Sequence, residues 1–106
     1  MFTTRCSDIL ERCLDLKAGE VVSFCPRGNS MVGKIESGQL CTVAPIADHS
    51  TLKPGAIVLC KVGGSEYLHL VKAIQGERFQ IGNNRGRING WVGAGAIYGE
   101  CIRVEP

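Results

Sequence analysis

One serine and one histidine in this sequence have surroundings that suit nucleophilic catalysis. Ser30 lies in a glycine-containing turn, Arg27-Gly28-Asn29-Ser30-Met31, and His69 lies in an apolar, strand-like run, Tyr67-Leu68-His69-Leu70-Val71. A serine hydroxyl is a weak nucleophile until a nearby base accepts its proton, and imidazole is a base poised near neutral pH. Backbone N–H groups in a glycine turn can also point at a developing oxyanion. The pair therefore indicates acyl-transfer chemistry.

Other interpretations compete for the same side chains. Ser30 fits a turn serine that bonds its own backbone, and His69 fits a strand histidine that donates to a carbonyl. Lys72 is the runner-up base, but strand alternation points it away from His69. A Cys60–His69 dyad lacks a glycine turn around the thiol. Asp48-His49-Ser50 cannot form a triad because adjacent residues do not reach triad geometry, so we expect a solvated loop there.

Length and charge limit the class of protein. A chain of 106 residues supports one core, so we expect a single domain over residues 1–106. A net charge of +2 is too small to favour direct nucleic-acid binding. No apolar stretch reaches the roughly 18 residues that span a bilayer, and the N-terminus does not resemble a secretory signal. We therefore expect a cytoplasmic protein with no membrane anchor, and we predict no cofactor.

Six cysteines in a short chain raise the question of a metal site. They form no C-x-x-C pair and no Cys/His group at zinc-finger spacing. Several stand where an apolar residue would serve, as in Leu40-Cys41-Thr42-Val43 and Val58-Leu59-Cys60. We therefore predict no metal and interpret the cysteines as reduced thiols that pack as small hydrophobes.

The elements that must position these residues are mostly strands. Apolar residues at steps of three and four predict one helix over about residues 4–17, which Gly19 is placed to end. From about residue 20 to 104, short β-type runs alternate with turns. They lie at 20–25, 39–44, 56–62, 67–74, 79–81, 91–92 and 97–104. The pattern predicts a mainly β fold, either a coiled antiparallel sheet or a partly open barrel.

The two strongest strands predict a hairpin with a definite register. Its expected loop is Gly63-Gly64-Ser65-Glu66, which sets Val62 opposite Tyr67 and Cys60 opposite His69. Cys60, Tyr67 and His69 then share one face of the sheet, because side chains alternate along a strand. Lys61 and Lys72 fall on the other face.

The order of motifs resembles the S24/S26 serine peptidase superfamily, which includes the self-cleaving SOS-response repressors and the type I signal peptidases. The resemblance runs from Phe24 to Val104. It rests on a Gly-x-Ser-Met element followed in order by several strand and turn motifs. These are Gly28-Asn29-Ser30-Met31-Val32-Gly33-Lys34-Ile35, Ser37-Gly38-Gln39-Leu40, Lys53-Pro54-Gly55-Ala56-Ile57-Val58, Tyr67-Leu68-His69-Leu70-Val71, Ile81-Gly82-Asn83-Asn84-Arg85-Gly86 and Ile97-Tyr98-Gly99.

The resemblance implies specific roles for a few residues. Ser30 matches the nucleophile, and the backbone N–H of Ser30, together with that of Asn29, would form the oxyanion hole. His69 stands where bacterial members have a lysine base. A histidine at this position resembles the archaeal and endoplasmic-reticulum signal peptidases. The histidine branch has an aspartate in a Gly-Asp-Asn element that here reads Gly82-Asn83-Asn84. Asn83 or Asn84 would then orient the imidazole through a hydrogen bond.

Three further residues depart from the pattern of this family. Gly33 stands where the family often has Pro, and Gln39 and Ala56 stand where it has acidic residues after glycine. Ala18-Gly19 resembles the bond that the repressors cut in themselves, although its tether to Ser30 is shorter than the family usually has.

These observations predict a serine endopeptidase-like domain that cleaves a peptide bond slowly, or acts on itself or on a partner. The partner would be a peptide or protein substrate added as a strand beside a sheet edge, and a homodimer is compatible with the sequence. The alternative is a catalytically inactive module that keeps the peptidase fold and binds proteins.

Overall fold

Seven strands form one open sheet in the computed structural model of the chain, which describes residues 19–26 and 31–105. All pairings are antiparallel, in the order β1-β2-β7-β3-β4-β5-β6. The strands are β1 (Val22–Phe24), β2 (Leu40–Pro45), β3 (Ile57–Val62), β4 (Ser65–Gln75), β5 (Arg78–Gly82), β6 (Ile88–Gly93) and β7 (Ile97–Glu105).

The predicted mainly β architecture is confirmed. Within the described residues the helical elements are two three-residue 3-10 turns, His49–Thr51 and Ala94–Ala96. The helix predicted over about residues 4–17 lies outside the described residues.

Both faces of the sheet are covered by apolar side chains. The first cluster covers one face and the second cluster covers the other. Three consecutive residues of β3, Val58 to Cys60, have no exposed surface because their neighbours bury them from both sides. The first cluster comprises Val22, Phe24, Met31, Ile35, Cys41, Val43, Leu59, Leu68 and Leu70; the second comprises Leu52, Val58, Cys60, Val71, Phe79, Ile81 and Ile97.

The sheet curls around the second cluster. Gly90 in β6 approaches β3 so closely that a Cβ atom built there would lie 3.3 Å from Val62 Cγ1. These two strands are separated by β4 and β5 in the strand order. Their approach therefore shows that the sheet is bent rather than flat, as the abundance of glycine predicts.

The β3–β4 hairpin has a shorter loop than predicted. Gly63 and Gly64 alone make the turn, with φ of 59° and 86°, a left-handed conformation that glycine adopts without strain. The register therefore differs from the predicted one by two residues, so that Cys60 pairs with Tyr67 and Val58 with His69. Because side chains alternate with a period of two, the predicted faces survive this correction.

Candidate active site

His69 occupies the middle of β4 and faces the second cluster. It pairs with Val58 across the hairpin and is 6% exposed, an unusual degree of burial for an ionisable side chain. Its ring stacks on that of Tyr67, with centroids 4.8 Å apart and planes inclined by 25°. Tyr67 is two residues earlier on the same face, so strand alternation itself produces the stacking. The imidazole is thus held in one orientation.

Asn89 supplies the hydrogen bond that fixes the imidazole. Ile81 pairs with Gly90 and Gly82 pairs with Ile88, which leaves Asn89 as the extra residue of a bulge in β6. Bulges redirect side chains, and here the Asn89 Oδ1 atom lies 2.7 Å from His69 Nδ1, although β5 separates their strands. Since an amide oxygen can only accept, Nδ1 carries the proton. The neutral ring therefore has its basic lone pair on Nε2.

The environment keeps His69 neutral at physiological pH. Burial lowers the pKa of the imidazole, the hydrogen bond to Asn89 raises it, and the positive charge of Arg87 lowers it, with a net shift below its ordinary value. An imidazole that is already deprotonated at pH 7 can accept a proton without first losing one. The site therefore has the protonation state that a general base needs.

The predicted orienting residues, Asn83 and Asn84, make other hydrogen bonds. Asn83 is buried, and its Oδ1 accepts from the amides of Arg85 at 2.8 Å and Arg87 at 3.0 Å. It thereby shapes the connection between β5 and β6. Asn84 donates from Nδ2 to the carbonyl oxygen of Val32 at 2.8 Å. The structure thus gives the contact with His69 Nδ1 to Asn89 instead.

The sequence does not identify Asn89 as the hydrogen-bond partner of His69, for a physical reason. It stands in the run Ile88-Asn89-Gly90-Trp91, where Asn-Gly is an ordinary turn signal. A polar residue beside a glycine inside a strand is nevertheless typical of a bulge, and that was the available clue.

The segment that follows Ser30 rests against the end of β5. Ser30 and Asn29 themselves lie outside the described residues. Met31 is buried in the first cluster, and its carbonyl oxygen accepts from the amides of Lys34 at 2.9 Å and Ile35 at 2.8 Å. Val32 is bound by Asn84, which lies two residues beyond the end of β5. The last residue of β5, Gly82, pairs with Leu70, the neighbour of His69.

Gly33 stands where the S24/S26 family, which this sequence resembles, often has proline. Its φ is 100°, which proline cannot adopt, and a Cβ atom there would lie 2.9 Å from Asn84 Nδ2. The close approach of this turn to Asn84 therefore requires glycine. The local backbone differs from one that carries proline at this position.

Lys72, the runner-up base, points to the face opposite His69. It is the extra residue of a bulge in β4, because Val71 pairs with Ile81 and Ala73 with Gln80. Its Cγ would lie 3.1 Å from a Cβ atom built at Gly82, whose strand partner Leu70 belongs to the first cluster. It is partly buried. Met31 packs on this same face, so the two candidate bases lie on different sides of β4.

The other reactive groups serve local structure. The Cys60 thiol donates to the carbonyl oxygen of Tyr67 at 3.7 Å. In the loop after β2, the Ser50 hydroxyl donates to Asp48 Oδ1 at 2.7 Å, whereas His49 Nε2 lies 2.9 Å from the carbonyl oxygen of Ile97. Their hydrogen bonds cap the 3-10 turn and tie it to β7, as expected for a loop rather than a triad.

Comparisons with known proteins give no family assignment. The sequence matches no protein-family model, and no curated protein matches it. Among the described residues, no helix is long and apolar enough to cross a membrane. In the same part of the chain, no group of three or more His, Cys, Asp or Glu side chains is arranged to hold a metal ion.

Proposed function

We propose that the chain is a serine endopeptidase-like domain of the S24/S26 type, with Ser30 as the nucleophile and His69 as the general base. One observation carries the proposal. His69 is a buried, neutral imidazole whose Nδ1–H is held by Asn89, which leaves the lone pair on Nε2. This is the state in which imidazole accepts a serine proton.

The proposed reaction has two stages. Ser30 Oγ attacks the carbonyl carbon of a peptide bond while His69 Nε2 takes its proton. The amides of Asn29 and Ser30 stabilise the oxyanion, and the amine leaves with the proton that His69 returns. Water then attacks the acyl-enzyme with His69 again as the base.

The neutral partner of His69 implies a slow enzyme. In serine proteases, exchange of the triad Asp for Asn lowers kcat by about 10⁴-fold, chiefly because the wrong tautomer results. Here the Asn89 amide oxygen accepts from Nδ1–H, so the tautomer suits a base. An uncharged amide still stabilises imidazolium less than a carboxylate does. We therefore expect a turnover suited to cleavage of the chain itself or of a bound partner.

The proposal sets a condition on the path of the backbone. Met31 packs on the face of β4 opposite to His69, and the proposal requires the Ser30 hydroxyl to reach His69 Nε2. The hydrogen bond from Asn84 to the Val32 carbonyl oxygen supports the proposal, because it holds the segment that follows Ser30 beside the end of β5, whose last residue pairs with the neighbour of His69. A cytoplasmic location stays a prediction from the sequence.

A fluorophosphonate probe tests the proposal directly. We expect the wild-type chain to be labelled on Ser30 between pH 6 and 9, with labelling abolished in Ser30→Ala and reduced at least about 100-fold in His69→Gln, the usual scale for loss of a general base. Ser50→Ala is the matched serine control and should label normally, because the Ser50 hydroxyl donates to Asp48 in the loop after β2. Lys72→Met should also label normally.

Two outcomes would overturn parts of the proposal. Labelling that survives His69→Gln but is lost in Lys72→Met would assign the base to the lysine on the face where Met31 packs. A complete lack of labelling across this pH range would favour the second candidate, a catalytically inactive protein-binding module. The absence of a charged group in the hydrogen bond to His69 Nδ1 supports that candidate, as does the exposure of Trp91 on the outer strand β6.

A further inference from the structure

Asn89 is followed by a glycine, and Asn89-Gly90 is the one Asn-Gly step in the sequence. The peptide nitrogen after an asparagine can attack the carbon of the side-chain amide, because the product is a stable five-membered ring. A glycine leaves that nitrogen unobstructed, since it has no Cβ atom. Asparagine counts among the thermally labile residues, and this cyclisation is a usual cause. Whether the step is more than a general liability depends on the surroundings of Asn89.

The backbone around Asn89 departs from regular strand pairing. Asn89 is the extra residue of the bulge in β6, and Gly90 has a φ of 150°. A bulge disrupts the local ladder of hydrogen bonds. Among the described strands, β5 alone pairs with β6, and Asn89 is half-buried. The position therefore combines a weaker backbone constraint than a regular strand with access to water.

The hydrogen bond from His69 prepares the Asn89 side chain for attack. His69 Nδ1–H donates to Asn89 Oδ1 across 2.7 Å. When a nucleophile adds to Asn89 Cγ, negative charge develops on that same oxygen atom. A donor placed at this distance beforehand is what stabilises an oxyanion. The imidazole is buried and stacks on the ring of Tyr67, so the donor is held in place.

Asn83 has one of these two features and serves as a comparison. Its Oδ1 also accepts hydrogen bonds, from the amides of Arg85 and Arg87. The residue that follows it is Asn84, however, whose side chain shields the peptide nitrogen that would attack. Both an oxyanion donor and a following glycine are present at Asn89. We therefore expect Asn89 to react and Asn83 to stay intact.

We propose that Asn89 is a self-modification site, at which deamidation assisted by His69 converts the asparagine into an aspartate beside the imidazole. The Gly90 nitrogen attacks Asn89 Cγ, its proton passes to the side-chain amide nitrogen, and ammonia leaves to give a succinimide. Water then adds to Cγ, the bond between Cγ and the Gly90 nitrogen breaks, and that nitrogen regains a proton. One water is consumed and one ammonia is released, with no change in oxidation state.

The same hydrogen bond selects the product. Water that attacks the succinimide at Cγ gives aspartate, whereas attack at the main-chain carbonyl carbon gives isoaspartate, which predominates in unfolded peptides. Because His69 donates to the oxygen on Cγ, aspartate should predominate in the folded chain. A carboxylate then accepts from His69 Nδ1–H, as in a serine protease triad. A gain in peptidase rate would follow as well; this consequence rests on the proposed function, whereas the modification does not.

Ageing of the wild-type chain at neutral pH tests the site without any substitution. The folded chain and the urea-unfolded chain are incubated in water enriched in heavy oxygen, which marks carboxylates formed before digestion. The tryptic peptide from Ile88 to Arg103 contains one asparagine and no glutamine, so its mass reports on Asn89 alone. A protease that cuts before aspartate but not before isoaspartate distinguishes the products. We expect mainly aspartate from the folded chain and mainly isoaspartate from the unfolded chain.

Variants then connect the product to the imidazole. His69→Phe keeps an aromatic ring beside Tyr67 but removes the donor, so the ratio of aspartate to isoaspartate should fall at least about five-fold, the scale of one hydrogen bond. His49→Phe is the matched histidine control and should give the wild-type ratio, because His49 bonds the Ile97 carbonyl oxygen instead. Ser30→Ala should also match wild type, so the site can be judged even if the peptidase proposal fails.

The wild-type comparison decides the proposal even if His69→Phe does not fold. Equal product ratios in the folded and unfolded chains would overturn it, since the hydrogen bond would then have no influence on the reaction. A folded chain that keeps Asn89 intact while the unfolded chain converts it would overturn it too.

Discussion

Replacement of Asn89 by aspartate should turn the neutral partner of His69 into a charged one without changing its size. The two atoms involved are 2.7 Å apart, and His69 is 6% exposed, so solvent screens the new ion pair weakly. Unit charges 4 Å apart interact by about 4 kcal/mol at an effective dielectric constant of about 20. Since a pKa unit corresponds to about 1.4 kcal/mol, an attraction of this size alone would raise the pKa by about three units.

Desolvation of the new carboxylate offsets part of this gain. We therefore expect Asn89→Asp to raise the pKa of His69 by about one to three units above its wild-type position. Asn89→Ala should do the opposite, because it removes the hydrogen bond that raises the pKa and leaves burial and Arg87 unopposed. The two substitutions at one position thus predict shifts of opposite sign.

The assay is an NMR titration of the imidazole Cε1–H signals. The chain has two histidines, so His49→Gln identifies the remaining signal as His69. The wild-type midpoint should lie below the ordinary value of about 6.5. A midpoint in Asn89→Asp within about 0.3 units of wild type would refute the proposed contact, since a carboxylate in that position cannot leave the imidazole unaffected. A higher midpoint in Asn89→Ala would refute the direction of the hydrogen bond.

The hydrogen-bonded pair of His69 and residue 89 also predicts how the stability of the fold depends on pH. The wild-type pKa of His69 is lower folded than unfolded, so the chain should lose stability as the pH falls from about 6.5 towards the folded pKa. In Asn89→Asp, a folded-state pKa of His69 above 6.5 would make the imidazolium a stabilising group. Its contribution to stability would be complete below about pH 6.5 and would be lost as the pH rises through the folded-state pKa. Urea midpoints at pH 5 and pH 8 distinguish the two dependences.

Three further predictions test the site and its scaffold. The rate of Ser30 labelling by a fluorophosphonate should rise with pH through a midpoint below the ordinary imidazole value of about 6.5, because the pKa of His69 is lowered. A midpoint above pH 7 would contradict this assignment of the base. Gly82→Ala should destabilise the fold by about 1–3 kcal/mol in urea titrations, since its Cβ would lie 2.5 Å from the Arg87 carbonyl oxygen. In the control Gly93→Ala, the new Cβ has nothing within 4 Å, so the free energy of unfolding should change by less than about 0.5 kcal/mol. Equal effects of the two substitutions would be inconsistent with this packing. Leu59→Ala removes a fully buried side chain from central β3 and should cost about 2–5 kcal/mol, measured the same way; a loss below about 1 kcal/mol would show that the first cluster is not a packed core.

The strands could be predicted from sequence because their signal is local. Alternating and continuous apolar runs marked all seven, with ends within a few residues of those observed. The hairpin turn was predicted two residues too long, since Ser65 and Glu66 are polar and resemble loop residues, although in the fold they pair with Val62 and Lys61. The faces were still predicted correctly, because an error of two residues does not change the direction of a side chain.

The partner of His69 could not be predicted because it depends on sheet geometry. Asn89 is twenty residues from His69 and two strands away, and it reaches the ring through a bulge that strand patterning does not encode. Asn83 was the better candidate by position in the motif. In the fold its side chain accepts from two amides of its own turn, a use that Asn commonly has in loops.

Two properties favour different residues as the base: burial favours His69, whereas position relative to Met31 favours Lys72. Lys72 shares the face on which Met31 packs, which favours it by position. A lysine must lose its hydration to act as a base near neutral pH, however, and Lys72 is only partly buried. His69 is buried and neutral, with its tautomer set by Asn89. The protonation state and the fixed tautomer therefore favour His69 as the base, although Met31 packs on the other face of β4.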